Sequence, residues 1–150
     1  MRAINHAMTG AIIGLSIANP VALPLAFVSH YVLDGLPHHG SKKGSIESGF
    51  FKFTLALDTV LCISLVVVIG FKHPAYWWLA AVCAFLAASP DFMWLGDFIA
   101  ALHGKTRKEL RHRHRVVQWH NWVQWFEKPI GIIIELVWAA AASIFLIYLL

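Results

Sequence analysis

Two long apolar runs constrain this chain more than anything else in it. Phe53–Phe71 carries one charge, Asp58, and Ile130–Leu150 carries one charge, Glu135. Each approaches the roughly 20 residues that cross a hydrocarbon core as a helix. Backbone in lipid has to satisfy its own hydrogen bonds, so runs of this kind form helices. A third run, Ala75–Leu95, is apolar except for Asp91. Ala7–Val32 is apolar too, but Asn19-Pro20 and Pro24 interrupt it. That stretch is too long for one span and too short for two, so two short helices folded into a hairpin are expected.

The expected fold is therefore all-α. It is a polytopic helical membrane protein with a short N-terminal helical hairpin, about three transmembrane helices and an interfacial amphipathic helix. Residues 1–150 read as a single membrane-embedded domain, with no internal repeat, low-complexity tract or linker. The chain is 59% apolar, above the roughly 45–50% of soluble domains. No cleavable signal peptide is expected, because no small-residue cleavage site precedes a soluble domain. Cys62 and Cys83 both fall inside apolar runs and read as small buried hydrophobes.

The net charge of +4 is unevenly placed. Lys42, Lys43 and Lys52 precede the Phe53–Phe71 run, only Lys72 lies between it and Ala75–Leu95, and Lys105, Arg107, Lys108, Arg111, Arg113 and Arg115 crowd one loop. The positive-inside rule puts the 37–52 and 103–128 segments in the cytoplasm and the Phe71–Ala75 turn outside, as a multi-pass protein of the inner membrane. The segment "RHRHRVVQWHNWVQWFEK" (111–128) is basic, then aromatic, and reads as the interfacial helix. A nucleic-acid patch is the other reading of its Arg/His run. The adjoining apolar runs favour membrane lipid, so no nucleic-acid partner is expected.

On this frame the unusual polar residues collect at one membrane level. His6 opens the first helix, and His30 and Asp34 close the second at the same end. Asp58 lies shortly inside Phe53–Phe71, Asp91 near the cytoplasmic end of Ala75–Leu95, and His120, Gln124 and Glu127 on the interfacial helix. His30 and Asp34 are four apart and share a helix face, as do His120, Gln124 and Glu127. Ser89-Pro90-Asp91 has the form of a helix start, with Ser as cap and Pro at the first helical position. Imidazole nitrogen and carboxylate oxygen together suit a divalent metal, zinc first, with manganese or iron as alternatives. His6, His30, Asp34, Asp91 and His120 are the expected ligands of one or more ions. Asp58 and Glu127 are the candidate general bases, and His38 is a loop-borne candidate for an extra ligand. Each has a plainer reading: Asp58 as a charge paired with a basic group, His30–Asp34 as a capping pair, the loop histidines as solvated. Gly10 and Gly14 form a GxxxG, a signal for close helix packing, and homo-oligomer formation stays open.

"NHAMTGAIIG", "SHYVLDGLPH", "SPDFMW" and the His-rich segment ending in His120 together resemble the bacterial membrane-bound metal-dependent hydrolases, a family distantly similar to zinc-dependent phospholipase C. Its early His, its Pro-Asp pair opening a helix and its later His segment would be His6, Pro90-Asp91 and one of His112, His114 or His120. Met93 stands where the family often has a second acidic residue, and no Thr-His-Ser occurs. The resemblance implies helical spans around a metal cluster and hydrolysis of an ester, most plausibly a phosphoester. A metal-activated water would attack an amphiphilic, phospholipid-like substrate, with Arg111 and Arg113 near its phosphate. No Ser, Cys or Thr stands beside a His–Asp relay that would make it a nucleophile. A non-enzymatic metal-binding protein and a transport or structural protein are the competing classes. The mixture with carboxylates argues against haem, and clustering near one face argues against a midplane transport site.

Overall fold

The computed structural model describes residues 1–39, 49–95, 99, 103, 115–124, 126 and 128–150. Among them the secondary structure is helical. Six α-helices occur in the order α1 (Ala3–Ile17), α2 (Ala22–Asp34), α3 (Gly49–Lys72), α4 (Trp77–Ala88), α5 (Arg115–Val123) and α6 (Gly131–Leu149). A 3-10 helix, Ser89–Trp94, extends α4.

The interrupted N-terminal run forms a hairpin. α1 ends at Ala18, whose left-handed backbone (φ 53°) lets its N–H donate to Gly14 O at 3.1 Å. The Asn19 side chain then accepts from Val21 N at 3.1 Å and closes the turn into α2. α1 is the hub of the protein and packs on α2, α3, α4 and α6. Its closest approach is to α4, and small residues make this possible. A Cβ added at Gly10 would lie 2.2 Å from Cys83 O, and one at Gly14 would lie 2.7 Å from Ala80 Cα. Ala7, Ala11, Ala80, Ala84 and Ala88 continue this seam inside a core completed by Met8, Ile69, Ala142 and Leu146.

Two helical stretches, Lys52–Lys72 and Gly131–Leu149, are long and apolar enough to cross a membrane by length and composition. Their hydrophobic side chains mostly face outward: Val60, Ile63 and Phe71 on α3, and Leu136, Val137, Ile144 and Ile147 on α6, are each more than half exposed. The third run differs from expectation. Its regular helix, Trp77–Ala88, is short, and the chain tightens into the 3-10 turn at Ser89-Pro90. Ser89 does not cap a new helix. Its hydroxyl donates back to Leu86 O at 2.9 Å, so the chain continues out of α4 rather than restarting. Cys62 and Cys83 are both free thiols, Cys83 buried and Cys62 partly so.

Asp58, Glu135 and Trp138, polar groups within the apolar runs, each meet a partner on another part of the chain. The Asp58 carboxylate, on α3, accepts from Ala3 N at 2.9 Å and from Ile4 N at 3.4 Å. These are N–H groups that the first turn of α1 leaves without helical partners, so Asp58 caps α1 from a neighbouring helix. Glu135, on α6, pairs with Arg2 Nε at 3.6 Å and accepts from His39 N at 3.2 Å. Trp138 Nε1 donates to Thr9 Oγ1 at 3.0 Å. Gly131 lies against the His38 backbone so closely that a Cβ there would be 2.1 Å from His38 C, and Lys128 N donates to His38 O at 3.1 Å. These contacts fix the chain after α2 to the chain before α6.

Candidate metal centre

His30 and Asp34 occupy the last turn of α2, on one face because they are four residues apart. Asp91 comes from the 3-10 turn after α4, and His120 from the middle of α5. His30, Asp34, Asp91 and His120 each offer one ligand atom, and these atoms lie within 4.8 Å of one another. His30 Nε2 is 3.0 Å from His120 Nε2 and 3.2 Å from Asp34 Oδ2. His120 Nε2 is 3.3 Å from the same oxygen. Asp91 Oδ1 is 3.8 Å from His30 Nε2 and 3.9 Å from His120 Nε2. Bonds of about 2.1 Å to a tetrahedral ion put neighbouring donors about 3.4 Å apart. The measured separations straddle that edge length, and two nitrogens with two oxygens form a borderline donor set that suits zinc. This group can hold a metal ion.

The donors are also aimed. His30 Nδ1 donates to Ala87 O at 2.8 Å, which fixes the tautomer and turns Nε2 toward the carboxylates, as partners behind metal-binding histidines do. Gln124, one turn beyond His120, donates from Nε2 to Asp34 Oδ2 at 2.9 Å. Tyr31 packs edge-on against Trp119, with ring centroids 4.7 Å apart. α5 thus presents His120, Gln124 and Trp119 to the end of α2. The Met1 ammonium donates to Asp34 Oδ1 at 2.5 Å. Burial alone would raise the Asp34 carboxyl, but the surrounding imidazoles of His120, His30 and His6 outweigh it and hold the group well below the usual carboxylate range.

Of the five ligands expected from sequence, the structure brings four into one group, and His6 stands against it. His6 Nε2 is 3.2 Å from Asp34 Oδ1, and its ring stacks on His30 at 4.0 Å. Asp58 lies outside the group, engaged with the start of α1. His38 lies outside it too, with Nδ1 donating to Leu36 O at 2.8 Å. Glu127, Arg111 and Arg113 fall outside the described residues. Sequence reading missed the Ala87 carbonyl behind His30, since a backbone acceptor leaves no signature in residue types. No family model, curated protein or solved structure matches this chain.

Proposed function

We propose that this chain is a polytopic membrane protein and a metal-dependent hydrolase that acts on a phosphoester amphiphile at the cytoplasmic face of the inner membrane. The observation that carries the reading is the uneven burial of the donors. The side chains of His30, Asp34 and His120 are fully buried, whereas Asp91 is 24% exposed. A purely structural ion is closed in by its protein, while a catalytic one keeps an open side. The opening at Asp91 is where substrate and water would reach the centre.

A bound divalent ion would supply an acidified water and neutralise charge on the substrate oxygens. The chain's own residues do the rest. Asp34, His30, His120 and Asp91 would hold the ion, the Ala87 carbonyl fixes His30, and Gln124 fixes the Asp34 carboxylate. Glu127, seven residues beyond His120, is the candidate base. Arg111 and Arg113 are placed by sequence to meet a phosphate, and Trp119 and Trp122, exposed on α5, suit a headgroup boundary. The motif resemblance to membrane-bound metal-dependent hydrolases supports the same reaction class.

The test is a screen of purified protein in detergent and in liposomes, against phospholipids and generic phosphoesters, with Zn²⁺, Mn²⁺ and Mg²⁺. Hydrolysis that chelation abolishes and metal restores is the expected result. Arg111→Ala and Arg113→Ala should mainly raise KM, since phosphate contacts are made in ground and transition states alike. Silence across the screen, on protein shown to hold its metal, would leave a non-enzymatic metal-binding protein.

A further inference from the structure

The polar centre has an aromatic border. Tyr31 follows the donor His30 and sets its ring edge-on to both donor imidazoles, with centroids 5.1 Å from His30 and 6.0 Å from His120. Its hydroxyl lies within the field of the Asp34 and Asp91 carboxylates. Trp119 of α5 meets the same ring at 4.7 Å, and Phe27 of α2 meets it edge-on at 5.6 Å. Phe27 and Tyr31 are four apart and share a helix face, so Phe27 stands about 6 Å further from the centre along α2. Tyr31 is half-buried, whereas Phe27 and Trp119 are 40% and 47% exposed. Val28 and Val32 beside them on α2 are more than half exposed. An apolar strip thus begins on two donor rings and runs outward along α2. The exposed hydrophobics of α3 between Leu55 and Val68 are aliphatic instead, as a surface that meets only lipid tails can be.

We propose that the strip of Phe27, Tyr31 and Trp119 holds the hydrocarbon chain of the substrate, so that the phosphoester meets the centre from within the leaflet and its chain never leaves the outer face of α2. This rests on the hydrolase reading above and adds to it where the apolar part of the substrate lies. Continuity with the centre fixes the occupant: a molecule whose polar group sits at the donors has its chain beside Tyr31, and the next apolar surface along α2 is Phe27. An aromatic ring with a polar tip suits such a junction, because its hydroxyl end stays with the polar group while its face meets hydrocarbon. In the proposed orientation α2 ends at the cytoplasmic level, so the step from Tyr31 to Phe27 leads deeper into the bilayer, the direction a lipid chain takes. Phe27 is then a specificity-determining residue that selects for chain length and leaves the metal ligands untouched.

The experiment uses the metal-loaded full chain in liposomes and two phospholipids that share a headgroup, one long-chain and one short-chain and water-soluble. Phe27→Ala should lower the ratio of kcat/KM for the long-chain to the short-chain substrate by about tenfold, the scale on which apolar contacts discriminate. Phe27→Leu should restore most of it, and Val67→Ala on α3 should leave it at the wild-type value. An unchanged ratio in Phe27→Ala overturns the strip while the hydrolase reading stands. A second readout needs no turnover. A non-hydrolysable phosphonate lipid with a photoactivatable diazirine in its chain should cross-link to Phe27 and Tyr31, and excess long-chain phosphonate should compete this away where short-chain phosphonate does not. Cross-links spread over α3 and α6, or insensitive to the competitor, overturn the proposal. Silence toward both substrates removes the hydrolase reading, and the cross-link in wild type then decides on its own whether the strip takes a lipid chain. The same cross-link decides if Phe27→Ala fails to fold.

Discussion

His30 and Asp34 are the residues on which the centre stands or falls. Removing one donor from a group of four leaves the remaining buried groups facing each other without a cation, and metal binding and folding are coupled. His30→Ala and Asp34→Asn should each deplete metal in elemental analysis and lower Tm, and full occupancy in both would overturn the site. Asp58 makes the contrasting prediction. As a cap on Ala3 N and Ile4 N, its replacement by Ala should cost about 0.5–2 kcal/mol of stability while metal content stays at the wild-type level, read by denaturation and elemental analysis in parallel. Depletion of metal in Asp58→Ala would instead place this carboxylate in the centre. The His30–Asp34 pair was legible in the sequence because four-residue spacing fixes a shared helix face. The role of Asp58 was not, because its partners are main-chain N–H groups more than fifty positions away, which residue types do not reveal.

The elements were legible where one period ran unbroken, and less so where short helices meet. α3 and α6 follow the two uninterrupted apolar runs. The hairpin of α1 and α2 follows from the Asn-Pro break, and α5 lies within the basic, then aromatic segment 111–128 that reads as a helix. The end of α4 was misread, since Ser-Pro at a helix exit looks the same as Ser-Pro at a helix entrance until the Ser89 hydroxyl is seen to bond backward. GxxxG in α1 predicted close packing without naming its partner, and α4 answers it with Ala80, Cys83 and Ala87. A methyl group at Gly10 meets the Cys83 carbonyl at 2.2 Å, backbone that cannot swing aside. Gly10→Ala should therefore force α1 from α4, lowering stability by about 1–3 kcal/mol and, because α1 carries His6, loosening the centre. Wild-type Tm and metal content in this variant would show that the helices yield more than their contact allows. Ala18 runs the other way. It holds a left-handed backbone that costs a residue with a side chain about 1–2 kcal/mol, so Ala18→Gly should leave the protein equally or more stable in thermal denaturation.

At the scale of the whole molecule, the polar centre gathers where α2 ends, α4 runs out and α5 docks, and the outward faces of α3 and α6 are apolar. In the orientation proposed above, the lysine and arginine asymmetry would set that end of the protein in the cytoplasm. With Cys62 and Cys83 replaced, a single cysteine at His73 should react with an impermeant reagent in intact cells, and cysteines at Ser41 and Thr106 should not. Labelling at Ser41 or Thr106 would invert the protein in its membrane. A further consequence follows from where the donors lie along the chain. Asp34 and His120 are 86 positions apart, and the contacts that join their two helices are a few side chains at one end of α5. An ion shared by these residues is a cross-link that closes most of the chain into one loop. By the chain-entropy estimate for a covalent tie, closing a loop of that length is worth about 4–5 kcal/mol against the unfolded state. The tie cannot form until α5 has emerged during synthesis, so the N-terminal helices must first assemble on their own packing, with Asp34 waiting for a partner made much later.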